Sequence, residues 1–399
     1  MAPRRFRWMF AISSLAPVFL LTVLLIIVGA AAVSNLHGQA ASADAPQIDE
    51  RTLFTMLKLA PEPPIPADPL ELARDGGQSA ESAEQRAAVL ELLSRARSVS
   101  NVRAHAYDLK TTFTSFGTMP SDGVWTLEDT SPGAGSYRWS AEGPGYSAVY
   151  LSVGRLQYGS RPTGAAPLRL AQVRDAIFSE YLAIGNYASL RTAEASLDGI
   201  ALRCVLVLKG VGGAAVKGGR RWNEAEYCVD AQSGALVTYS PAPGLYVHYD
   251  YAGAFHFHEK IIPKGFTLFE AGRMVIEAKT VSVEDAPNAL SAIFRPDGLQ
   301  ELGLGIAVGR GETMSAYGIA NPQVTRPKME VAVGHGVTDG NGKLTELEVL
   351  ASSDADVNER LMNHMKRWRT KAAAVGAQRG TTTPAHEIIF VFSFFKDAS

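Results

Sequence analysis

Between Ala106 and Glu284 the chain repeats one device: short runs rich in aromatic and β-branched residues, many of them alternating apolar with polar, separated by Gly, Pro, Asp or Ser. AYDLKTTFTSFG, DGVWTLEDTS, GSYRWSAEG and YSAVYLSVGRLQYGS come first. ALRCVLVLKG, RWNEAEYCVD, ALVTYSP, LYVHYDYAGAFHFHE, GFTLFEAG and RMVIEAKTVSVE follow after an interruption. A period of two sends successive side chains to opposite faces, so each run reads as a strand closed by a turn. A meandering antiparallel sheet uses all of them, and the aromatic, β-branched and Gly content suits a strongly curved one.

Two stretches keep a different period. SAESAEQRAAVLELLSRARS, Ser79 to Ser98, spaces Ala88, Val89, Leu92, Leu93 and Ala96 three and four apart. RLAQVRDAIFSEYL does the same with Val173, Ile177 and Tyr181. Both predict helices with one apolar face. The expectation is one extensive sheet with helices across its concave side.

The chain has 399 residues, 46% of them apolar, and a formal net charge of −2. That length accommodates about two or three domains. Near-neutral charge gives no footprint for nucleic acid. Arg4, Arg5 and Arg7 precede an uncharged run from Met9 to Val33, long enough for a bilayer-spanning helix with its N-terminus in the cytoplasm. The alternative is a secretory signal peptide cut among the small residues from Ala40 to Ala45. The first reading makes an inner-membrane, single-pass protein with its bulk in the periplasm; the second, a protein secreted to the periplasm. Residues 35–78 are Ala/Pro-rich, with five prolines in PEPPIPADP, and read as a semi-rigid linker. Cys204 and Cys228, the two cysteines, lie symmetrically about Val216. A long-looped hairpin would set them opposite each other, as a structural disulfide in an oxidising compartment; two separate buried thiols are the alternative.

Residues from about 85 to 295 resemble the lipoprotein carrier and outer-membrane lipoprotein-sorting (LolA-like) family. The resemblance lies in the helix leading into YDLKTTFTSFG, in YCVDAQSGALVTY, and in YDYAGAFHFHEKIIPKGFTLFEAGRMVIEAKTVSVED, where a strand leads through Pro263 to a hairpin. It implies an open β-barrel with helices in its mouth and a cleft for a lipid or acyl chain. Trp125, Trp139, Tyr150, Tyr158, Tyr239, Tyr249 and Phe257 would line such a cleft if the sheet turns them inward; each could equally be plain core.

The C-terminal part has its own order. MEVAVGHGVTDGNGKLTELEVLASS gives two alternating runs about a DGNG turn, with Val331, Val333, His335 and Val337 on one face and Thr345, Leu347 and Val349 on another. Ser353 reads as an N-cap, with Asp356 three residues on. Val357, Leu361, Met365 and Trp368 recur at helical spacing, and HEIIFVFSFF closes the chain as a strand. Residues 328 to 395 resemble the C-terminal domain of TonB-family proteins: a hairpin turn from Asp339 to Gly342, then Val349, Leu350, Ser352 and Ser353, then the Trp368–Arg369 pair and an aromatic-alternating strand. The resemblance implies a partner-docking module, with Trp368, Arg369, Phe390 and Phe392 as its contacts. Ser13 and Ser14 lie in the apolar run, but the His of the family's energy transducers does not.

Chemistry has few candidates. His256 and His258 form an H-x-H pair on one strand face, a weak metal candidate that lacks a third ligand. KGVGGAAVKGG has neither G-K-[ST] nor a following helix, so it is no phosphate loop. There is no G-x-S-x-G, and neither Cys has an adjacent base.

The combined expectation is an α+β chain. Residues 1–34 form the transmembrane helix or signal, 35–78 the linker, 79–300 a curved antiparallel open β-barrel with covering helices, 301–327 a connection, and 328–399 a small ββαβ domain. The expected function is non-catalytic: hydrophobic-ligand binding by the barrel and partner docking by the last domain, with no cofactor. The partners are an envelope protein, a lipoprotein or lipid, and the inner membrane. The alternatives are a structural or regulatory envelope protein making only protein–protein contacts, and a TonB-like energy transducer for outer-membrane transport.

Overall fold

The computed structural model describes residues 78–133, 136–160, 166–178, 189–208, 224–287, 292–302, 313–317, 327–339, 343–352 and 386–397. The expected membrane or signal segment, the linker, the C-terminal helix with Trp368 and Arg369, and the glycines of the DGNG turn lie outside these residues.

The elements begin with β1 (Gln78–Ser79), α1 (Ala83–Ser100), β2 (Tyr107–Ser115), β3 (Gly123–Gly133), β4 (Ser136–Gly143), β5 (Tyr146–Val153), β6 (Leu156–Gly159) and α2 (Leu168–Phe178). Next come β7 (Ser189–Leu197), β8 (Ile200–Leu208), β9 (Glu224–Asp230), β10 (Leu236–Ala242), β11 (Leu245–Asp250), β12 (Phe255–Phe257), β13 (Lys260–Ile262), β14 (Gly265–Glu270) and β15 (Arg273–Asp285). The last are β16 (Gln300–Glu301), β17 (Thr313–Tyr317), β18 (Pro327–Thr338), β19 (Leu344–Ser352) and β20 (His386–Asp397).

Fourteen strands form one sheet in the order β1-β7-β8-β9-β10-β11-β14-β15-β2-β3-β4-β5-β6-β16. Two meanders, β2 to β6 and β7 to β15, meet where β15 pairs antiparallel with β2. Strand β2 shows the alternation physically: Tyr107, Leu109, Thr111, Phe113 and Ser115 are buried, and the residues between them are not. Helix α1 starts at a capping box, in which Ser82 and Gln85 satisfy each other's backbone amides. Its Val89, Leu93 and Ala96 join Leu170, Val173 and Ala176 of α2 in a single core against the sheet. Strands β12 and β13 form a separate two-stranded ribbon.

The C-terminal sheet has four strands in the order β17-β20-β18-β19. The β18–β19 hairpin and the β18–β20 pair are antiparallel, while β17 runs parallel to β20. Leu350 and Ala351 of β19, Val333 of β18 and Ile389 of β20 share a core with Leu168 of α2 and with Ala242 and Leu245 of the large sheet.

These observations correct three expectations. The described chain is dominated by sheet and has two α-helices, so the α+β description gave helices too much weight; period-two patterning governs most of the described residues. Among the described residues the large sheet ends at β1 and β16, which do not pair with each other, so the expected open barrel is an extended open sheet instead. The last sheet is no bare ββαβ unit, because Thr313–Tyr317, inside the expected connection, supplies a parallel edge strand. Among the described residues no helix is long and apolar enough to cross a membrane. The transmembrane, inner-membrane, single-pass placement is therefore withdrawn; the run that suggested it lies outside the described residues.

Candidate functional site

The helix-covered face of the large sheet is filled by its own aromatic side chains. Cross-strand register makes Trp125 the partner of Phe113, and Trp139 the partner of both Asp129 and Tyr150. Side chains directly opposed in antiparallel strands meet on one face. Accordingly Phe113 stacks on Trp125 at 5.5 Å and Trp139 on Tyr150 at 4.6 Å between ring centroids. Trp125 and Trp139 are 0% exposed. The backbone is shaped for this packing: a Cβ on Gly143 would lie 2.1 Å from the Trp125 ring.

One buried acid stands among these rings. Asp129 accepts hydrogen bonds from Tyr107 Oη at 2.7 Å, Tyr137 Oη at 2.8 Å and Arg174 Nη2 at 3.1 Å. The Arg174 guanidinium lies 4.3 Å from the Trp139 ring centre, a cation–π contact that helps hold a charge away from water. Burial, and then the Asp129 carboxylate, push the Tyr107 phenol well above its ordinary value.

Of the seven aromatics expected to line a cleft, Trp125, Trp139, Tyr150 and Tyr249 are buried in this core, and Tyr239 packs at its margin. Phe257 belongs to another cluster, with Val102, Tyr107, Leu109, Phe178 and Ile262. Tyr158 is half-buried on β6. Tyr239 alone of the seven borders the apolar cavity of about 170 Å³ beside α2, where Leu168, Ala171, Ala176, Leu245, Leu268 and Ile389 also contribute. Ligand pockets run from about 300 to 1,000 Å³, so this cavity suits something smaller than a lipid.

A larger cleft, of about 450 Å³, opens where the two sheets meet. Beside it lies a charge network assembled from five distant segments. Arg169 of α2 donates to both carboxylate oxygens of Glu270 on β14. Gln172 Nε2 donates to the same carboxylate at 3.3 Å. His335 of β18 lies with Nδ1 3.7 Å from Glu270 and Nε2 3.1 Å from Glu387 of β20. Ser121 Oγ, from the loop between β2 and β3, donates to Glu387 at 3.3 Å. Burial alone would raise the Glu270 carboxyl, but the Arg169 charge and hydrogen bonds outweigh it and hold the group below its usual range. Arg273 pairs with Glu348 at the exposed rim.

Sequence reasoning placed His335 in the core and missed its partners. A signal existed. Glu270 continues the buried phase of Phe266 and Leu268, and Arg169 sits within the buried surface of α2. A charge at a buried phase requires a partner, although its identity cannot be read from spacing.

The H-x-H pair is not brought together. His256 is exposed on β12, while His258 has left the strand at φ 52°. Its Nε2 meets Asp285 at 2.8 Å, and its ring stacks at 4.3 Å on His105, which the sequence did not flag. His105 pairs with Glu259 at 2.8 Å. Hydrogen bonds from Lys260 and then His105 lower the Glu259 carboxyl to about 2. Cys204 and Cys228, directly opposed on β8 and β9, are joined by a disulfide. With Glu226 they form the one grouping of metal-ligand type among the described residues, but thiolates are the metal-binding form of Cys, and the disulfide uses both sulfurs. The backbone of β20 carries Phe390 and Phe392 opposite Gly334 and Ala332.

No family model matches the chain, that of the TonB C-terminal domain included, and no curated protein matches it. Among solved structures it is similar to a LolA superfamily protein from Nitrosomonas europaea, at 10% identity and a TM-score of 0.30, over 52% of this chain and 98% of that one. A domain assigned to the outer membrane lipoprotein-sorting proteins of Vibrio parahaemolyticus matches at 7% identity and a TM-score of 0.32, over 49% and 91% of the two chains. A DUF1329 family protein from Desulfovibrio piger matches at 10% identity and a TM-score of 0.35, over 54% and 98%.

Proposed function

We propose that this protein is a non-catalytic component of the cell envelope, structural or regulatory in role, that works through protein–protein contacts. The observation behind this reading is the packed aromatic face: Trp125, Trp139 and Tyr150 are buried against one another and their neighbours instead of bordering open space. The Cys204–Cys228 disulfide supports an oxidising compartment outside the cytoplasm. The junction cleft supports a contact surface, since both sheets contribute to its walls.

A second reading, binding of a hydrophobic ligand such as a lipid or acyl chain, would need more room than the roughly 170 Å³ apolar cavity beside α2, which has space for only part of such a chain. Mass spectrometry of organic extracts from natively purified protein separates the two. The contact reading expects no lipid above trace amounts. Near-stoichiometric co-purified lipid would reject it in favour of the carrier.

A further inference from the structure

The apolar cavity of about 170 Å³ beside α2 is made by local features of three elements. On the helix, Leu168, Ala171 and Asp175 recur three and four residues apart and border it together with Ala176. Two of the helix's contributions are therefore alanines, which leave room above the sheet. From the large sheet, Val247 and Leu268, opposed in register on β11 and β14, form another wall. Strand β10 is irregular here: its register with β11 shifts between Tyr239 and Ala242, and Pro241 stands in the interruption. Such bulges re-aim side chains, and they recur beside binding sites; Pro241 brings no N–H to be left unpaired. Tyr239, stacked on Tyr227 at 5.0 Å, gives the cavity an aromatic side, and Ile389 of β20 adds a contribution from the C-terminal sheet.

We propose that this cavity binds one small neutral molecule built on a single apolar ring, of benzene to toluene size. Volume sets the size, since an apolar cavity of about 150 Å³ takes one benzene. The lining sets the character: aliphatic side chains give dispersion contact, and the Tyr239 ring gives an aromatic partner. Charge sets the exclusion. Asp175 is half-buried at the border, so a ligand that carries a carboxylate brings a like charge to it. Because α2, the large sheet and β20 all contribute walls, an occupant touches both sheets and stabilises the folded chain by mass action. The proposal goes beyond the protein-contact reading and does not depend on it.

The test is calorimetric titration of the full chain with toluene, benzoate and dodecanoate. Benzoate keeps the ring and adds a charge; dodecanoate puts the same charge on a long chain. Toluene should bind saturably, one per chain, and about tenfold tighter than either acid. Ala171→Leu should abolish toluene binding by filling the space, and Asp175→Asn should strengthen benzoate about threefold. Leu245→Ala, which removes volume and so cannot overcrowd the site, should admit naphthalene, which the wild type excludes. That variant decides the matter if Ala171→Leu does not fold. Absence of saturable toluene binding, equal affinity for toluene and benzoate, tighter binding of dodecanoate, or undiminished toluene binding by folded Ala171→Leu would each overturn the proposal. So would naphthalene binding equally to the wild type and to Leu245→Ala. A failure to bind toluene leaves the lipid content of the purified protein unaffected, so the protein-contact reading stands or falls separately.

Discussion

Trp125 and Trp139 on the large sheet, and Arg169 and Glu270 at the sheet junction, are all almost wholly hidden from water, yet they are held by different physics. The tryptophans come from neighbouring strands and stack on rings in direct register. Their burial is favourable in itself, because apolar area leaves water. Arg169 and Glu270 come from segments far apart in sequence, and each is tolerable only while the other is present. Removing half of such a pair strands a charge, whereas removing both is often nearly neutral. An aromatic stack behaves otherwise: every ring lost leaves a cavity.

The largest test of that contrast is Trp139→Ala. Urea unfolding should show a loss approaching about 5 kcal/mol, the upper end for truncating a buried Trp, and adding Tyr150→Ala should deepen it. A loss below about 1 kcal/mol would mean that the face is looser than its stacking implies. Next, Arg169→Met should cost about 3–4 kcal/mol, and Glu270→Leu added to it should recover most of that. Additive losses in this cycle would erase the distinction between the two regions.

Acid sharpens it further. In the folded chain the Glu270 carboxyl titrates below its unfolded value of about 4.3. The unfolded chain therefore binds more protons in that window, and stability falls as pH drops below about 4.3 through the folded value. Glu270→Gln should flatten this acid limb, while Trp139→Ala should shift the whole profile down without changing its slope there. A limb equally steep in Glu270→Gln would place the acid sensitivity elsewhere. The smallest effect belongs to the rim: Arg273→Ala should cost less than about 1 kcal/mol, since Arg273 and Glu348 are both largely exposed. A cost comparable to Arg169→Met would show that the junction extends to the surface.

The same contrast explains what could be read from the sequence. Strands such as YDLKTTFTS and the helix at Ala83–Ser100 carry their period within a few residues, so local pattern is enough to find them. The sequence leaves Cys204 and Cys228 open between a hairpin pair and two separate thiols, and the register of β8 and β9 decides for the pair. Pattern says less about whether an inward-facing aromatic fills the space or lines it, because Trp125 looks the same in either case. It also gave no hint that Thr313–Tyr317 runs parallel beside β20, because that pairing is non-local and the run is short. The junction cleft was the least legible part. Asp122, Arg169, Glu270, His335 and Glu387 come from one loop and four separate elements, and only the fold brings them together.

The central claim is that the aromatic face of the large sheet is full. Titration of the purified full chain with a fluorescent fatty acid tests it most directly, with Trp139→Ala as the cavity-bearing control. Wild-type protein should show no saturable binding, and the variant, which opens space beneath the helices, should bind measurably better. Saturable, near-stoichiometric uptake by the wild type, lost rather than gained on truncating Trp139, would contradict it.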